Sequence, residues 1–374
     1  MQAPPRPRRR RWPLILAATL IAAAAGWSGL WYYAAATAER TIAGWKSREA
    51  RAGRVYDCAT QTISGFPLRF ELRCAGVRAE LKSNQPPLSL KTADMLVTAR
   101  LWQPTVLTTQ VHGPLTVADP AEGSVISADW RRAQTEVRGL PTSPERVSIV
   151  VEDPVVVRAA GGASLFKASG VTVNGRLLSG TVADHPVIEI GLRLASAEAP
   201  SWHEAAAVPV DADITVVLRG LRNFAPKPWP VRLRELQAAG GRIEIVKARV
   251  QQGDTVALAD GTLGLSGEGR LNGELRLTVA NLDQFLPRLG LDRMLEAREQ
   301  PNKLDKAFGA LDRIMPGLGR TARQNAAPMI VAGITLMGEP TEIEGRRAVR
   351  LPLRFNDGAV SLGPLLLGYT PALY

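Results

Sequence analysis

An uncharged apolar segment near the start of the chain constrains the fold more than any other feature. No Asp, Glu, Lys or Arg occurs in residues 12–38. Within it lies an apolar run over residues 14–33, which at about 1.5 Å per residue reaches roughly 30 Å, the thickness of the hydrocarbon core of a bilayer. The sequence therefore predicts a single membrane-spanning helix, with residues 12–38 as the anchor.

The residues before the anchor predict its orientation. Five arginines lie there: Arg6, Arg8, Arg9, Arg10 and Arg11. By the positive-inside rule the tail 1–11 stays in the cytoplasm and the rest of the chain emerges on the far side, which in a bacterium is the periplasm. These arginines account for 5 of the formal net charge of +11. The mildly basic remainder predicts no nucleic-acid partner, although a nucleic-acid-binding role for the arginine-rich tail stays open as an alternative, since polybasic tails bind phosphates.

Aromatic residues favour an anchor that is retained. Trp27, Trp31, Tyr32 and Tyr33 lie where the helix would leave the bilayer, the usual depth for amphipathic rings, and Trp12 marks the opposite interface. The alternative is a cleaved signal peptide, because residues 36–38 have an Ala-x-Ala form. The apolar run is longer than the roughly 7–15 residues typical of signal peptides. We therefore expect an inner-membrane, single-pass protein.

Two cysteines and three histidines exclude a disulfide-dense scaffold and a zinc cage built from cysteine and histidine. These residues are Cys58, Cys74, His112, His185 and His203. In an oxidising compartment the two cysteines are expected to form a disulfide, the alternative being two buried, unpaired thiols. The histidines lie in turn-like contexts and receive no catalytic role.

No sequence motif for catalysis or for phosphate binding is present. Four closely spaced glycines, Gly261, Gly264, Gly267 and Gly269, lie inside an alternating strand pattern, which favours sheet glycines over a phosphate cradle. The pair Asp211 and Asp213 is interpreted as a solvated strand start rather than a cation site. The sequence predicts no catalytic, cofactor-binding or metal-binding residue, no cofactor, and a protein that is not an enzyme.

Period-two alternation of apolar and polar residues predicts a β-rich body. Residues 66–74 and 77–81 alternate in this way, and a two-residue turn at Ala75–Gly76 would place their apolar side chains on one face. In residues 263–279 a three-residue loop ending at Gly273 would do the same. Asp357–Gly358 predicts a hairpin that pairs Phe355 with Val360 and Leu353 with Leu362.

Further strands are predicted at residues 88–102, 105–117, 147–158, 165–177, 187–194, 213–221, 242–250 and 330–337. Helices are predicted at residues 127–137, at 231–239, and in two segments between 282 and 318. The predicted fold class is α+β and dominated by β-structure: an N-terminal transmembrane helix, then large antiparallel, curved or half-barrel-like sheets with a few covering helices.

A proline-rich connector at residues 223–230, in which regular structure is not expected, suggests two lobes. The predicted organisation is a cytoplasmic tail (1–11), the anchor (12–38), a helical stalk (39–54), a β-rich lobe (55–222) and a second β-rich lobe with helices (231–374). Residues 214–224 and 275–285 share a pattern that ends in Leu-x-x-Phe, consistent with a duplicated unit.

The membrane-proximal segment carries a family resemblance. Tyr56 and Cys58, followed by the run Ser-Gly-Phe-Pro-Leu-Arg at 64–69 and then Cys74, resemble the proteobacterial family called domain of unknown function 2125, which implies an envelope location and no activity. Residues 261–279 and 351–368 are similar to modules of AsmA-like proteins, which are anchored in the inner membrane, rich in β-structure and linked to outer-membrane lipid homeostasis. The chain is shorter than large AsmA-like proteins, so no complete bridge between membranes is implied.

We expect a non-enzymatic envelope protein whose sheet binds a lipid or another hydrophobic ligand along an incompletely covered apolar face. An envelope scaffold or assembly factor acting through protein contacts is the alternative, and a periplasmic hydrolase is disfavoured. Partners are the membrane, through the N-terminal helix, and phospholipid or envelope proteins. Candidate groove residues alternate along the predicted strands: Phe66, Leu68, Phe70, Leu265, Leu275, Leu277, Leu353 and Phe355.

Overall fold

The computed structural model describes residues 12–82, 86–119, 125–140, 143–159, 161–202, 204–225, 227–281, 338–362 and 365–374. Several predictions fall outside these ranges: the basic tail, His203, the helices between 282 and 318, and the strand at 330–337.

The predicted anchor and stalk form one continuous helix, α1 (Trp12–Arg51). It ends where Gly53 takes a positive φ of 79°, a left-handed conformation that glycine adopts at helix ends without steric cost. The amide of Gly53 donates to the carbonyl of Ala50 at 3.0 Å. Within the described chain, α1 is the one helix long and apolar enough to cross a membrane.

The remaining described residues are mostly in strands. In chain order they are β1 (Arg54–Ser64), β2 (Arg69–Leu81), β3 (Leu88–Arg100), β4 (Gln103–His112), β5 (Leu115–Ala118), β6 (Val125–Asp129), β7 (Arg132–Arg138), β8 (Arg146–Glu152), β9 (Val155–Arg158), β10 (Ser164–Lys167), β11 (Gly170–Thr181), β12 (Asp184–Ala197), β13 (Val210–Arg219), β14 (Arg242–Gln252), β15 (Thr255–Leu265), β16 (Leu271–Ala280), β17 (Glu339–Ile343), β18 (Arg346–Asn356), β19 (Ala359–Leu362) and β20 (Leu365–Tyr369). A short 3-10 turn (Glu204–Ala207) precedes β13, and a second α-helix, α2 (Trp229–Ala238), precedes β14.

These strands build one open antiparallel sheet that does not close into a barrel. The order across it is β1-β2-β3-β4-β7-β8-β11-β12-β13-β14-β15-β16-β18. Strands β17 and β19 pair with β18, and β20 pairs with β19. A shorter series of paired strands, β3-β5-β6-β9-β10, branches from β3, where β5 pairs with residues 89–91. The predicted β-dominated fold class is confirmed.

Three predicted strands are each divided into two. Gly113–Pro114 separates β4 from β5, Asp153–Pro154 separates β8 from β9, and residues 168–169 separate β10 from β11. Proline has no N–H to donate to a ladder, so it interrupts pairing within a sheet. Asp153 has a positive φ of 50°, which turns the chain at the second of these breaks.

The predicted helix at residues 127–137 is wrong, because the structure has β6 and β7 there. Ala, Gln and Glu in this segment have good helix propensity. However, β7 is paired along its length with β4 on one side and β8 on the other. Hydrogen bonding to two neighbours outweighs a weak local preference.

The predicted turn at Ala75–Gly76 is also wrong. Strand β2 continues through these residues, pairing with β1, which was not predicted from the sequence, and with β3. Gly76 has a φ of 59°, and the apolar side chains change from even to odd positions beside it. The apolar–polar alternation changes phase within a single strand, and this change was interpreted as a hairpin turn.

The predicted disulfide between Cys58 and Cys74 is confirmed, and it joins β1 to β2. In the ladder, Cys58 is opposite Val77 and Cys74 is opposite Gln61. In a regular ladder such an offset would separate the two cysteines by about 10 Å along the strands. Their Cα atoms are 5.4 Å apart, so the strand pair is distorted between them, where Gly76 lies.

Two hairpins test the predicted turns further. The Asp357–Gly358 hairpin is confirmed, with Phe355 opposite Val360 and Leu353 opposite Leu362. Both turn residues have positive φ. The loop predicted to end at Gly273 is misplaced: the chain turns at 266–270, and Gly273 lies inside β16 opposite Leu263. Its leucines nevertheless share one face, as expected.

Helix α2 begins two residues earlier than predicted, inside the proline-rich connector. Pro230 occupies its first turn, where the missing N–H would have no helical partner. Its Leu236 packs with Ile188 and Leu221 in a buried cluster. Because β13 and β14 are paired directly, the sheet continues across the connector, and the division into two lobes stays a prediction.

Replacing both cysteines by serine should lower the free energy of unfolding by about 3 kcal/mol, the value expected for a loop of this length. Chemical denaturation of the full chain in detergent, with and without reductant, measures it. Reductant should weaken the natural protein and leave the double variant unchanged. Equal stability of the two oxidised proteins would contradict the stabilising role of the disulfide.

Leu351 lies in a buried cluster with Val279 and Leu362 and is only 2% exposed. Leu351→Ala should cost about 2–5 kcal/mol in unfolding free energy through lost burial and a residual cavity. The exposed Leu366 is the matched control, and its replacement by alanine should change stability by less than about 0.5 kcal/mol. Equal denaturation midpoints for both variants would place the core elsewhere.

Candidate functional site

The strand register aligns apolar residues in a row across the sheet. Directly paired residues of an antiparallel ladder point to the same face. The first apolar row is Phe70, Ala99, Leu107, Val137, Val147, Gly175, Ile190, Val216, Ile245, Gly261, Leu275, Leu353 and Leu362. At about 4.8 Å per strand, this row extends over roughly 60 Å.

Two parallel rows widen the same face. The second row is Leu72, Val97, Thr109, Thr135, Ile149, Val173, Leu192, Ile214, Ala248, Ala259, Leu277 and Leu351, and the third is Cys74, Met95, Val111, Ala133, Val151, Val171, Leu194, Ala212, Val250, Ala257, Val279 and Val349. Two threonines are the polar members of these rows. We call the surface formed by the three rows the apolar face.

A bulge in β14 keeps the apolar face continuous. The register shifts by one residue between Val216, opposite Ile245, and Thr215, opposite Lys247. As a result Ile245 and Ala248, which are three residues apart, both belong to the apolar face. The extra residue of the bulge is Val246, which is exposed. Without it, one half of β14 would present its polar residues to the apolar face.

The opposite face is polar and carries ion pairs between neighbouring strands. Arg176 contacts Glu189 at 3.0 Å, and Asp213 accepts a hydrogen bond from Lys247 at 3.1 Å. The hydrogen bond from Lys247, followed by the positive charges of Lys247 and Arg193, lowers the pKa of Asp213 despite some desolvation. This carboxylate therefore stabilises the fold above its ordinary pKa, and the contribution is lost as the pH falls through the lowered pKa.

A second ion pair on the polar side is bidentate. Arg249 donates to both carboxylate oxygens of Glu344 at 2.8 Å. This hydrogen bonding lowers the pKa of Glu344 and raises that of Arg249. Ordinary ion pairing accounts for these shifts, so they do not indicate an acid–base site.

Helix α1 packs against the first strands of the apolar face. The Trp31 side chain is 6% exposed, and its ring stacks on Phe70 with centroids 5.3 Å apart and an interplanar angle of 7°. Trp31 Nε1 donates to the carbonyl of Arg69 at 3.3 Å. The first apolar row therefore begins in direct contact with the helix that could span a membrane.

A second aromatic contact lies further along α1. Trp45 stacks on Tyr56 of β1 with ring centroids 5.0 Å apart, and Lys46 Nζ donates to Gln61 at 3.1 Å. Trp31 and Trp45 are separated by 14 residues, close to four helical turns. Both therefore project from one side of α1, and together they hold the C-terminal half of this helix against β1 and β2.

The apolar face contains a cavity of about 250 Å³ between β8, β11 and β12. Its apolar lining includes Val147, Ile149, Val173, Ile188, Ile190 and Phe224. Ile149 is 36% exposed, so this part of the face is open. An apolar cavity with few polar groups fits a hydrocarbon chain better than a polar substrate.

The predicted groove residues divide into two groups. Six lie on the apolar face or on its extension beyond the first row: Phe70, Leu265, Leu275, Leu277, Leu353 and Phe355. Among these, Phe70, Leu275 and Leu353 share the first apolar row, and Leu275 is buried. Phe66 and Leu68 instead lie in the loop before β2, exposed and beside α1.

Other sequence candidates have structural roles. Asp211 accepts a hydrogen bond from the amide of Ser196 at 2.8 Å, and Asp213 belongs to the ion pair above. Gly261 and Gly264 lie in β15, and Gly267 and Gly269 in the turn after it. Among the described residues, no group of three or more His, Cys, Asp and Glu side chains could hold a metal ion.

The contacts that join α1 to the sheet were not predicted from the sequence. The spacing of Trp31 and Trp45 places both rings on one side of a helix, a pattern that could have predicted packing against the sheet. Instead, Trp31 was interpreted only as a marker of the membrane interface. The cavity lining was missed because it requires the register of three strands. Phe224, which closes one side of the cavity, lies in the connector.

A family model described as an uncharacterized protein conserved in bacteria (DUF2125) matches residues 31–371. The chain belongs to the DUF2125 family. This confirms the membership that the Ser-Gly-Phe-Pro-Leu-Arg segment predicted. The DUF2125 match includes Trp31, the disulfide and all the described strands. Searches of curated proteins and of solved structures each found no match, and the likeness to AsmA-like modules stays a prediction.

The Trp31–Phe70 stack should hold α1 against the sheet. Replacing a buried Trp by alanine costs about 3–5 kcal/mol, so Trp31→Ala should speed amide exchange in residues 69–72 by about a hundredfold or more. Hydrogen-exchange mass spectrometry of the full chain in nanodiscs measures this. Tyr33→Ala, which removes an exposed ring from the same helix, should leave that exchange unchanged. Equal exchange in both variants would contradict the docking role of Trp31.

Proposed function

We propose that the protein is a non-enzymatic lipid-binding protein of the bacterial envelope, anchored in the inner membrane by α1 with its sheet in the periplasm. The single observation that carries the proposal is the first apolar row, which runs across the sheet from a residue stacked on α1. The ligand class is a phospholipid or another molecule with an acyl chain.

The contact between Trp31 and Phe70 supports a path for hydrocarbon between the membrane and the sheet. Trp31 lies near the end of the apolar run over residues 14–33, where a spanning helix leaves the hydrocarbon core. An acyl chain that leaves the bilayer there meets the apolar face directly. Each methylene kept from water contributes about 0.8 kcal/mol. An acyl chain that covers only part of the apolar face therefore offsets much of the free-energy cost of leaving the bilayer.

The polar face supports an extended sheet in water. Its ion pairs and charged side chains keep one side of the sheet solvated, while the apolar side requires a cover. A ligand supplies that cover at the open cavity between β8, β11 and β12. The proposed orientation, with residues 1–11 in the cytoplasm, follows from the arginine-rich tail and the positive-inside rule.

Photo-cross-linking at two adjacent residues of β8 tests the proposal. Ile149 and Val150 are each 36% exposed and point to opposite faces, since successive strand residues alternate. A photoreactive amino acid at Ile149, in the full chain within its bacterial membrane, should form an adduct with phospholipid. The same residue at Val150 should not, and mass spectrometry of the purified protein identifies the adducts.

The two positions also separate the alternative function. An adduct between position 149 and a specific envelope protein, without lipid, would favour a scaffold that acts through protein contacts. Equal lipid labelling at 149 and 150 would show only general proximity to the membrane. Either result would contradict lipid binding by the apolar face.

A further inference from the structure

The end of the sheet beside α1 exposes a cluster of apolar side chains. Phe66 and Leu68 come from the loop before β2, and Trp102 from the turn between β3 and β4; they are 49%, 55% and 62% exposed. The amide of Leu101 donates to the carbonyl of Leu68 at 3.1 Å, so the loop and the turn lie side by side. We call Phe66, Leu68 and Trp102 the apolar tip.

A hydrogen bond and an aromatic contact fix the depth of the apolar tip relative to α1. Trp27 Nε1 donates to the carbonyl of Pro67 at 3.1 Å, and the Trp31 ring meets Phe66 edge-on with centroids 5.7 Å apart. Trp27 and Trp31 are one helical turn apart, near the end of the apolar run. The apolar tip is therefore held at the depth where amphipathic rings mark a membrane interface.

The turn that carries Trp102 has an unusual composition. Arg100 pairs with Gln103, so Leu101 and Trp102 form a two-residue hairpin turn. Such turns in water favour Gly, Asn and Asp, as at Gly253–Asp254 and Asp357–Gly358 of this sheet. Leu101–Trp102 lacks these residues, as does the Val182–Ala183 turn, and it presents a large exposed indole ring at the end of the hairpin.

Positive charge borders the apolar tip. Arg69 and Arg100 are directly opposite each other in the β2–β3 ladder, which places two positive charges side by side next to the apolar tip. One carboxylate, that of Glu71, contacts Arg69 at 3.0 Å. Two arginines above an apolar cluster match the order of phosphate and acyl chain at a lipid surface.

We propose that the apolar tip inserts into the surface of the membrane that α1 spans, as a second contact between the protein and the bilayer. This inference rests on the membrane anchoring in the proposed function and goes beyond it. The inserted tip holds the start of the first apolar row against the lipid leaflet. Together with α1 it fixes the direction in which the sheet leaves the membrane.

Spin-label accessibility in the full chain tests the insertion. The natural cysteines are joined in a disulfide, so single cysteines at Leu68 or Trp102 can be labelled selectively. The protein is reconstituted in vesicles of phosphatidylethanolamine and phosphatidylglycerol. Collision rates with oxygen, which partitions into lipid, and with a water-soluble nickel chelate report the depth of each label.

Two control positions calibrate the depth. Leu20 lies in the apolar run of α1, and Trp202 follows β12 at the opposite end of the strands and is exposed. We expect the oxygen-to-nickel ratio at 68 and 102 to rise several-fold above that at 202, towards that at 20. Ratios at 68 and 102 equal to that at 202, with 20 in lipid, would overturn the insertion and leave the anchor intact. Water-like values at all four positions would overturn both.

Discussion

The antiparallel register is the constraint on which the rest of the structure depends. Each strand that contributes to the three apolar rows shares its apolar side with its neighbours only because their residues are directly paired. A slip of one residue at any ladder would move all following apolar residues to the polar face. The bulge at Val246 illustrates this constraint, because it keeps Ile245 and Ala248 of β14 on the apolar face. The long row from Phe70 to Leu362 is the result.

The same register gives the anchor helix its role. Phe70 is the first member of the row and also the partner of Trp31, so the helix that could span a membrane and the sheet share one apolar surface. A helix that crossed the membrane without this stack would only tether the protein. With it, in the proposed anchoring, the place where α1 leaves the bilayer is the place where the apolar face begins. The disulfide and the stack of Trp45 on Tyr56 secure β1 beside it.

Alternation along the chain predicted much of the fold. Most strands, the Asp357–Gly358 hairpin, the disulfide and the β-dominated class followed from local sequence. The failures occurred where non-local pairing decides: β7 is a strand because it has two partners, and Gly76 continues a strand where a phase change suggested a turn. For the site, alternation identified residues such as Phe70 and Leu275. Their alignment in one row and the contact with Trp31 require registers between distant strands, which no local pattern contains.

Native mass spectrometry of the full chain, extracted from bacterial membranes and washed with detergent, tests the central claim most directly. Val173→Arg places a charge in the cavity of the apolar face, and Thr172→Arg places one on the polar face of the same strand. Both variants must first show the natural disulfide and circular dichroism spectrum. The natural protein and the Thr172 variant should retain phospholipid in a fixed stoichiometry, and the Val173 variant should lose it. Equal retention by all three would place the lipid on α1 and contradict binding by the sheet.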